Sequence, residues 1–260
     1  MAILQRVSLV VLVLTCVVGI ISAFNSDDQA VYLMGQAEQA LYAGQTLNAN
    51  QLYSRSSELC TTSALAMAVA TNADAAMNYM GSTIYYRDVI EKAYKRAIYL
   101  ADSTALALAV AANADAVGSK NGQPLQYENA IILAFEKATK LSDSTALALG
   151  VATTADAIGV KDGNAYIYKD NIEKAYKRAI YLADSTALSL AVAANAYTVG
   201  MKNLNTDEFR TIIESAYNNA IDQSDTLAEI YQVMHDAASI GYTQILNKAA
   251  KKEQELLKKK

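Results

Sequence analysis

Asp102-Ser103-Thr104-Ala105-Leu106 returns as Asp143-Ser144-Thr145-Ala146-Leu147 and again as Asp184-Ser185-Thr186-Ala187-Leu188, each time after 41 residues. One step back stands Thr62-Ser63-Ala64-Leu65, and one step forward stands Asp225-Thr226, so a single unit fills most of the 260-residue chain. Self-similarity at a fixed period of this length marks an array in which each unit packs on its neighbours. Aspartate and serine are favourable N-cap residues: a side-chain oxygen accepts from backbone N–H groups left free in a first turn, worth about 1 kcal/mol. The motif therefore predicts a chain reversal followed by a helix start. The run behind it, Ala105-Leu106-Ala107-Leu108-Ala109, predicts a slim helix whose backbone lies close to its neighbours.

The rest of the period is helical too. Gly118, Gly159, Gly200 and Gly241 recur one period apart and are expected to close the alanine-rich helices in the left-handed conformation. Turn-forming Lys120-Asn121-Gly122, Lys161-Asp162-Gly163 and Lys202-Asn203 follow, and a second helix then begins near Tyr86, Tyr127, Tyr168 or Glu208. No stretch of the period reads as a strand. The spacing predicts an all-α chain, an α-solenoid of stacked helical hairpins over residues 24–242. Residues 243–260 read as a last amphipathic helix with a lysine-rich tail, its apolar side formed by Ile245, Leu246, Ala249, Leu256 and Leu257. Such a helix ends the stack with a polar outer face.

The second helices carry a resemblance. They read Ala49-x3-Tyr53-x2-Ser56-x2-Leu59, Ile90-x3-Tyr94-x2-Ala97-x2-Leu100, Ile131-x3-Phe135-x2-Ala138-x2-Leu141, Ile172-x3-Tyr176-x2-Ala179-x2-Leu182 and Ile213-x3-Tyr217-x2-Ala220. An aromatic, a small residue and a leucine in that order resemble the second helix of a tetratricopeptide repeat. The first unit, with Tyr42-Ala43-Gly44 at its turn, is the most similar. The chain departs from the family in its longer period, in having no tryptophan, and in placing Asp102, Asp143 and Asp184 about where the family has a closing proline. The resemblance implies a right-handed superhelix whose concave groove binds a protein or peptide.

Composition narrows the setting. With 53% hydrophobic residues, 18% charged and one proline, the chain can bury a substantial core. Arg6, the uncharged run from Val7 to Ile21, and Ser22-Ala23 before polar Asn25-Ser26-Asp27-Asp28 have the layout of a secretory signal peptide cleaved after Ala23. The expected location is secreted, periplasmic or cell-surface; the alternative is an uncleaved anchor over residues 7–23. Cleavage leaves Cys60 without a disulfide partner, and the small residues Ala101, Ser142, Ala183 and Ser224 in its column suggest packing. With Arg6 and the tail from Lys248 set aside, 15 cationic and 24 acidic side chains give the stretch 24–247 a net −9. Six lysines against two glutamates give the tail +4. An acidic array argues against nucleic acid, and only the tail or the signal segment is expected to touch a membrane.

Catalytic signatures are sparse. His235 is the single histidine, which excludes histidine pairs for a metal and weakens any triad, and no zinc, phosphate-loop or calcium-hand spacing occurs. No cofactor, metal or catalytic residue is expected. Two polar columns stand on the alanine-rich helices: Asn72, Asn113, Thr154, Asn195 and Asp236, and Asp74, Asp115 and Asp156. By the resemblance the first column faces the groove, with Val69, Val110, Val151 and Val192 three residues earlier supplying apolar contacts. Tyr86, Tyr127, Tyr166 and Tyr168 crowd the loop edge and are a candidate interface, since tyrosine offers a large apolar area with a polar tip. Ile90 to Leu106 is identical to Ile172 to Leu188, so like groups are multiplied where a catalytic centre needs unlike groups converging. The expected function is an exported, non-catalytic scaffold that binds a protein or peptide. The alternative is a structural protein that stacks with copies of itself into a filament, surface layer or coat.

Overall fold

A computed structural model describes residues 25–80, 86–164, 167–202 and 206–258. The expected signal segment and Tyr166 lie outside the described residues. The described residues form twelve α-helices and no strand. Compactness divides the expected array between Ala101 and Asp102. The first body holds α1 (Ser26–Tyr42), α2 (Thr46–Leu59), α3 (Ser63–Met80) and α4 (Arg87–Leu100). The second holds α5 (Thr104–Lys120), α6 (Glu128–Leu141), α7 (Thr145–Lys161), α8 (Lys169–Leu182), α9 (Thr186–Lys202), α10 (Thr206–Gln223), α11 (Leu227–Ser239) and α12 (Thr243–Lys258).

Within each body consecutive helices pair as hairpins, and the hairpins stack. In the second body α5, α7, α9 and α11 follow one another in one row, and α6, α8, α10 and α12 in another. In the first body α1 lies on α3 and α2 on α4. This is the packing of a helical-hairpin solenoid, as the 41-residue period requires.

The joints are built by serine rather than aspartate. The Ser103, Ser144 and Ser185 hydroxyls accept from the backbone N–H of Leu106, Leu147 and Leu188 at 3.3, 3.4 and 3.4 Å. Asp102, Asp143 and Asp184, one residue earlier, stay exposed. Thr145 and Thr186 are buried and turn their hydroxyls to the carbonyls of Ala179 and Ala220, which ties each first helix to its own second helix. At the last joint Thr226 and Glu229 form a reciprocal capping box.

The glycine expectation is corrected at three of four positions. Gly118, Gly159 and Gly200 lie buried inside α5, α7 and α9, which run about half a turn further, to Lys120, Lys161 and Lys202. The left-handed residues are Gly122 and Gly163, at φ 67° and 72°, together with Gly44 and Gly241. Gly118 answers to a different need: a Cβ there would meet the Gln123 carbonyl oxygen at 2.8 Å, because the outgoing loop folds back across the helix.

The core is aromatic on one side and small on the other. Tyr53, Tyr94, Phe135, Tyr176 and Tyr217 on the second helices are buried, as are the alanines and valines of the first helices. Helix α12 seats Ile245, Ala249 and Leu256 and reaches α10 through Lys248 to Asn218 at 2.9 Å, while Leu257 points outward at 45% exposure.

Candidate functional site

The loop-edge tyrosines are not an exposed interface. Tyr86, Tyr127 and Tyr168 are among the largest fully buried side chains. Each ends the connection into a second helix, and at Tyr86 and Tyr168 the ring plugs the space between stacked hairpins. Tyr168 packs edge-on against Phe135 of the preceding hairpin at 5.5 Å, and Tyr86 packs on Tyr53 in the same way at 6.2 Å. Tyr176 and Phe209 repeat the contact at 6.0 Å. Sequence reasoning counted these tyrosines as loop residues; their 41-residue recurrence with Phe209 was the signal of a core column.

The groove valines are core as well. Val69, Val110, Val151 and Val192 have no exposed surface, so a groove ligand could not touch them. The polar column beside them, Asn72, Asn113, Thr154, Asn195 and Asp236, is half-buried, and Asp236 accepts from Gln232 of its own helix at 2.8 Å. Asn195 accepts a hydrogen bond from the Tyr176 hydroxyl at 2.7 Å, joining the α9 helix to the hairpin before it. Nineteen residues likewise separate Phe135 from Thr154, and here the aromatic lacks a hydroxyl and Thr154 bonds the Gly150 carbonyl at 2.7 Å instead. In the first body Asn72 points its amide at the Met34 sulfur, 3.0 Å away. Asn113 is half-buried, and it too has a partner.

The aspartate column is buried at Asp74, Asp115 and Asp156. Asp74 accepts from Asn78 at 3.1 Å. Asp115 accepts from Ser119 at 3.3 Å and from the Lys161 ammonium of the next first helix. Cys60 is buried and its thiol donates to the Ser56 carbonyl, the same backward bond that Ser142 and Ser224 make two and four joints along the series. Burial pushes the Cys60 thiol up to about 11, against a thiolate at neutral pH. His235 is exposed. Among the described residues no three of histidine, cysteine, aspartate and glutamate gather around one point as metal ligands would.

What the first helices do present is an uncharged face. On α5 the exposed ridge is Ala105, Ala109, Ala112 and Ala116, flanked by half-buried Leu106, Leu108 and Asn113. On α7 Ala146, Leu147 and Ala157 are exposed with Gly150 and Thr153 half-buried between them, and on α9 the exposed ridge is Ala187, Ala191, Ala194 and Thr198. Between the joint and the terminal lysine, the charged residues of α5 and α7 are Asp115 and Asp156, both buried, and α9 has none. The second helices differ: α8 alone carries Lys169, Asp170, Glu173, Lys174, Lys177 and Arg178.

Two features of the second helices escaped sequence reasoning. Arg178 donates through Nε and a terminal nitrogen to the Ser142 carbonyl, at 3.0 and 2.8 Å, and Arg96 does the same to Cys60. Each guanidinium therefore staples its helix to the end of the preceding second helix. Each also lies over an exposed tyrosine, Arg178 on Tyr181 at 5.4 Å and Arg96 on Tyr99 at 5.6 Å. At the far end of the second body, the connection from α11 to α12 shrinks to three residues, and beside it opens a shallow notch of about 460 Å³. Tyr197, Arg210, Glu214 and Tyr242 line it, with Arg210 paired to Glu214 at 3.0 Å.

No helix of the described residues is long and apolar enough to cross a membrane. Compared with models of known protein families and with curated protein sequences, the chain matches none.

Proposed function

We propose that this chain is an exported, non-catalytic scaffold that binds a protein along the uncharged faces of its first helices. One observation carries the reading: α5, α7 and α9 expose alanine ridges edged with leucine, while the charge of the repeat is concentrated on the second helices. Exposed charge on every turn is what a solvated helix needs for solubility, and a row of helices without it is suited to a covering partner. Small side chains let a partner backbone approach, and stacked hairpins offer such a surface over a long distance. Export rests on the layout of residues 1–23.

A photoreactive residue placed at Ala112 or Ala194 tests it in the native extract. A discrete heavier adduct from those positions, with none from Lys140 or Lys177, is expected; adducts from the second-helix positions alone would overturn the reading. Identical copies of Ile90 to Leu106 and Ile172 to Leu188, each with an exposed tyrosine over arginine, favour a second reading in which the chain binds itself. That reading expects adducts at whole multiples of the chain mass, formed from Tyr99 and Tyr181.

A further inference from the structure

In the first body a pair of phenol rings meets in water rather than in the core. Tyr42, the last residue of α1, and Tyr79, in the last turn of α3, are 75% and 67% exposed, and their rings pack edge to face with centroids 5.8 Å apart. Tyr53, Phe135, Tyr176 and Tyr217, by contrast, make their ring contacts from buried positions. One, two and three periods on from Tyr79 stand Lys120, Lys161 and Lys202, and Lys161 reaches Asp115 on the preceding first helix. Tyr79 also reaches the preceding first helix, with a ring in place of an ammonium. The first body thus joins α1 to α3 at this point through two accessible phenols, a contact that oxidation can turn into a bond.

We propose that Tyr42 and Tyr79 are a site of oxidative phenol coupling, which ties α1 to α3 covalently when a separate peroxidase delivers the oxidising power of hydrogen peroxide. Each phenol loses one electron and one proton to become a phenoxyl radical, and the two radicals join through a new carbon–carbon bond between ring carbons beside the hydroxyls. The hydrogens on the joined carbons then move to the oxygens, which restores both phenols. The coupled pair is two hydrogens lighter, and one hydrogen peroxide has become two waters. Rings already in contact need only turn about χ1 and χ2, a motion that exposed side chains make rapidly. Other exposed tyrosines are poorer sites. Tyr99 and Tyr181 lie under the Arg96 and Arg178 guanidinium groups, whose charge opposes removal of an electron from the ring. The Tyr32 oxygen accepts from the Gln36 amide at 2.8 Å. None of the three has a second phenol packed on it. A bond between residues 37 apart in the chain also removes entropy from the unfolded state, so coupling clamps the first two hairpins together.

The full chain, dilute and treated with a haem peroxidase and hydrogen peroxide, is expected to yield on digestion one dominant linked product, in which the peptides carrying Tyr42 and Tyr79 are joined with the loss of two hydrogens. Coupling spread over Tyr32, Tyr99 and Tyr181, or formed between molecules alone, would sink the proposal. Tyr42→Phe and Tyr79→Phe keep the ring contact and remove the radical, so each should melt as wild type before treatment and lose the linked product at least tenfold. An unchanged yield from either variant contradicts the assignment. Coupled wild type should melt about 5 °C or more above identically treated Tyr42→Phe, and an equal midpoint would refute the clamp. The same linked peptide is expected in the chain isolated from its own source; its absence there would overturn coupling as a modification of the native protein.

Discussion

Helix α7 sends Ala148, Val151, Ala152 and Ala155 into the core and shows alanine, leucine and valine to the outside, whereas its partner α8 buries Ile172 and Tyr176 and shows lysine and aspartate. The two rows divide the repeat between them. The second helices supply aromatic mass, inter-hairpin staples and solubility. The first helices supply close approach, because an alanine surface lets backbone lie against backbone, and they leave an outer face that water has little reason to favour. A hairpin of two α8-like helices would stay apart, and one of two α7-like helices would lack a core.

The largest expected effect breaks the aromatic row. Tyr176→Ala removes a fully buried ring packed on Phe209 and should cost about 3 to 5 kcal/mol in urea unfolding. The small row should break in the opposite sense, by crowding: Ala152→Leu adds volume where no side-chain surface is exposed, at about 1 to 3 kcal/mol. The link between rows can be sharpened by moving it. Phe135→Tyr alone should lose about 1 to 2 kcal/mol if its new hydroxyl finds no partner, and adding Thr154→Asn should recover most of that loss, copying the Tyr176–Asn195 bond. At the joint, Ser144→Ala is expected to cost about 1 kcal/mol, while Asp143→Ala, exposed beside it, stays within about 0.5 kcal/mol.

The smallest effect appears in alkali and separates the rows by pH. Burial, and then the Asp236 charge, raise the Tyr217 phenol to about 12, so folding favours its protonated form. A group raised on folding gives stability that holds below its unfolded value near 10 and declines as pH climbs toward the folded one. Between pH 9 and 10.5 the wild type should therefore lose up to about 1 kcal/mol more than Tyr217→Phe, as read from urea midpoints.

The period, the helix order and the joints were legible because each depends on local chemistry that recurs: a serine hydroxyl within one turn of the amide it caps, and a turn glycine after lysine. Burial was harder to read. Tyr86 and Tyr168 sit beside turn sequence and count as loop residues until the preceding hairpin is stacked against them. The valine column looked like groove surface because its three-residue offset from Asn113 and Asn195 is compatible with one helical face; the ring of Tyr176 decides which part of that face is covered. Gly118 read as a helix stop since glycine tolerates left-handed backbone, and only the loop carbonyl 2.8 Å from its missing Cβ reveals the other use. The Arg178 staple joins residues 36 apart, a separation that no local pattern announces.

Binding along the first helices is tested most directly by the affinity of the chain for the protein captured by photocrosslinking, measured after Ala112→Lys and Ala194→Lys are made together. Both positions are exposed, so the fold should persist, with unchanged helical circular dichroism and thermal midpoint. The account predicts at least a tenfold weaker Kd, about 1.4 kcal/mol or more, with Lys140→Ala and Lys177→Ala leaving it within twofold. An unchanged Kd in the lysine double variant, with loss in the second-helix variants instead, would contradict it.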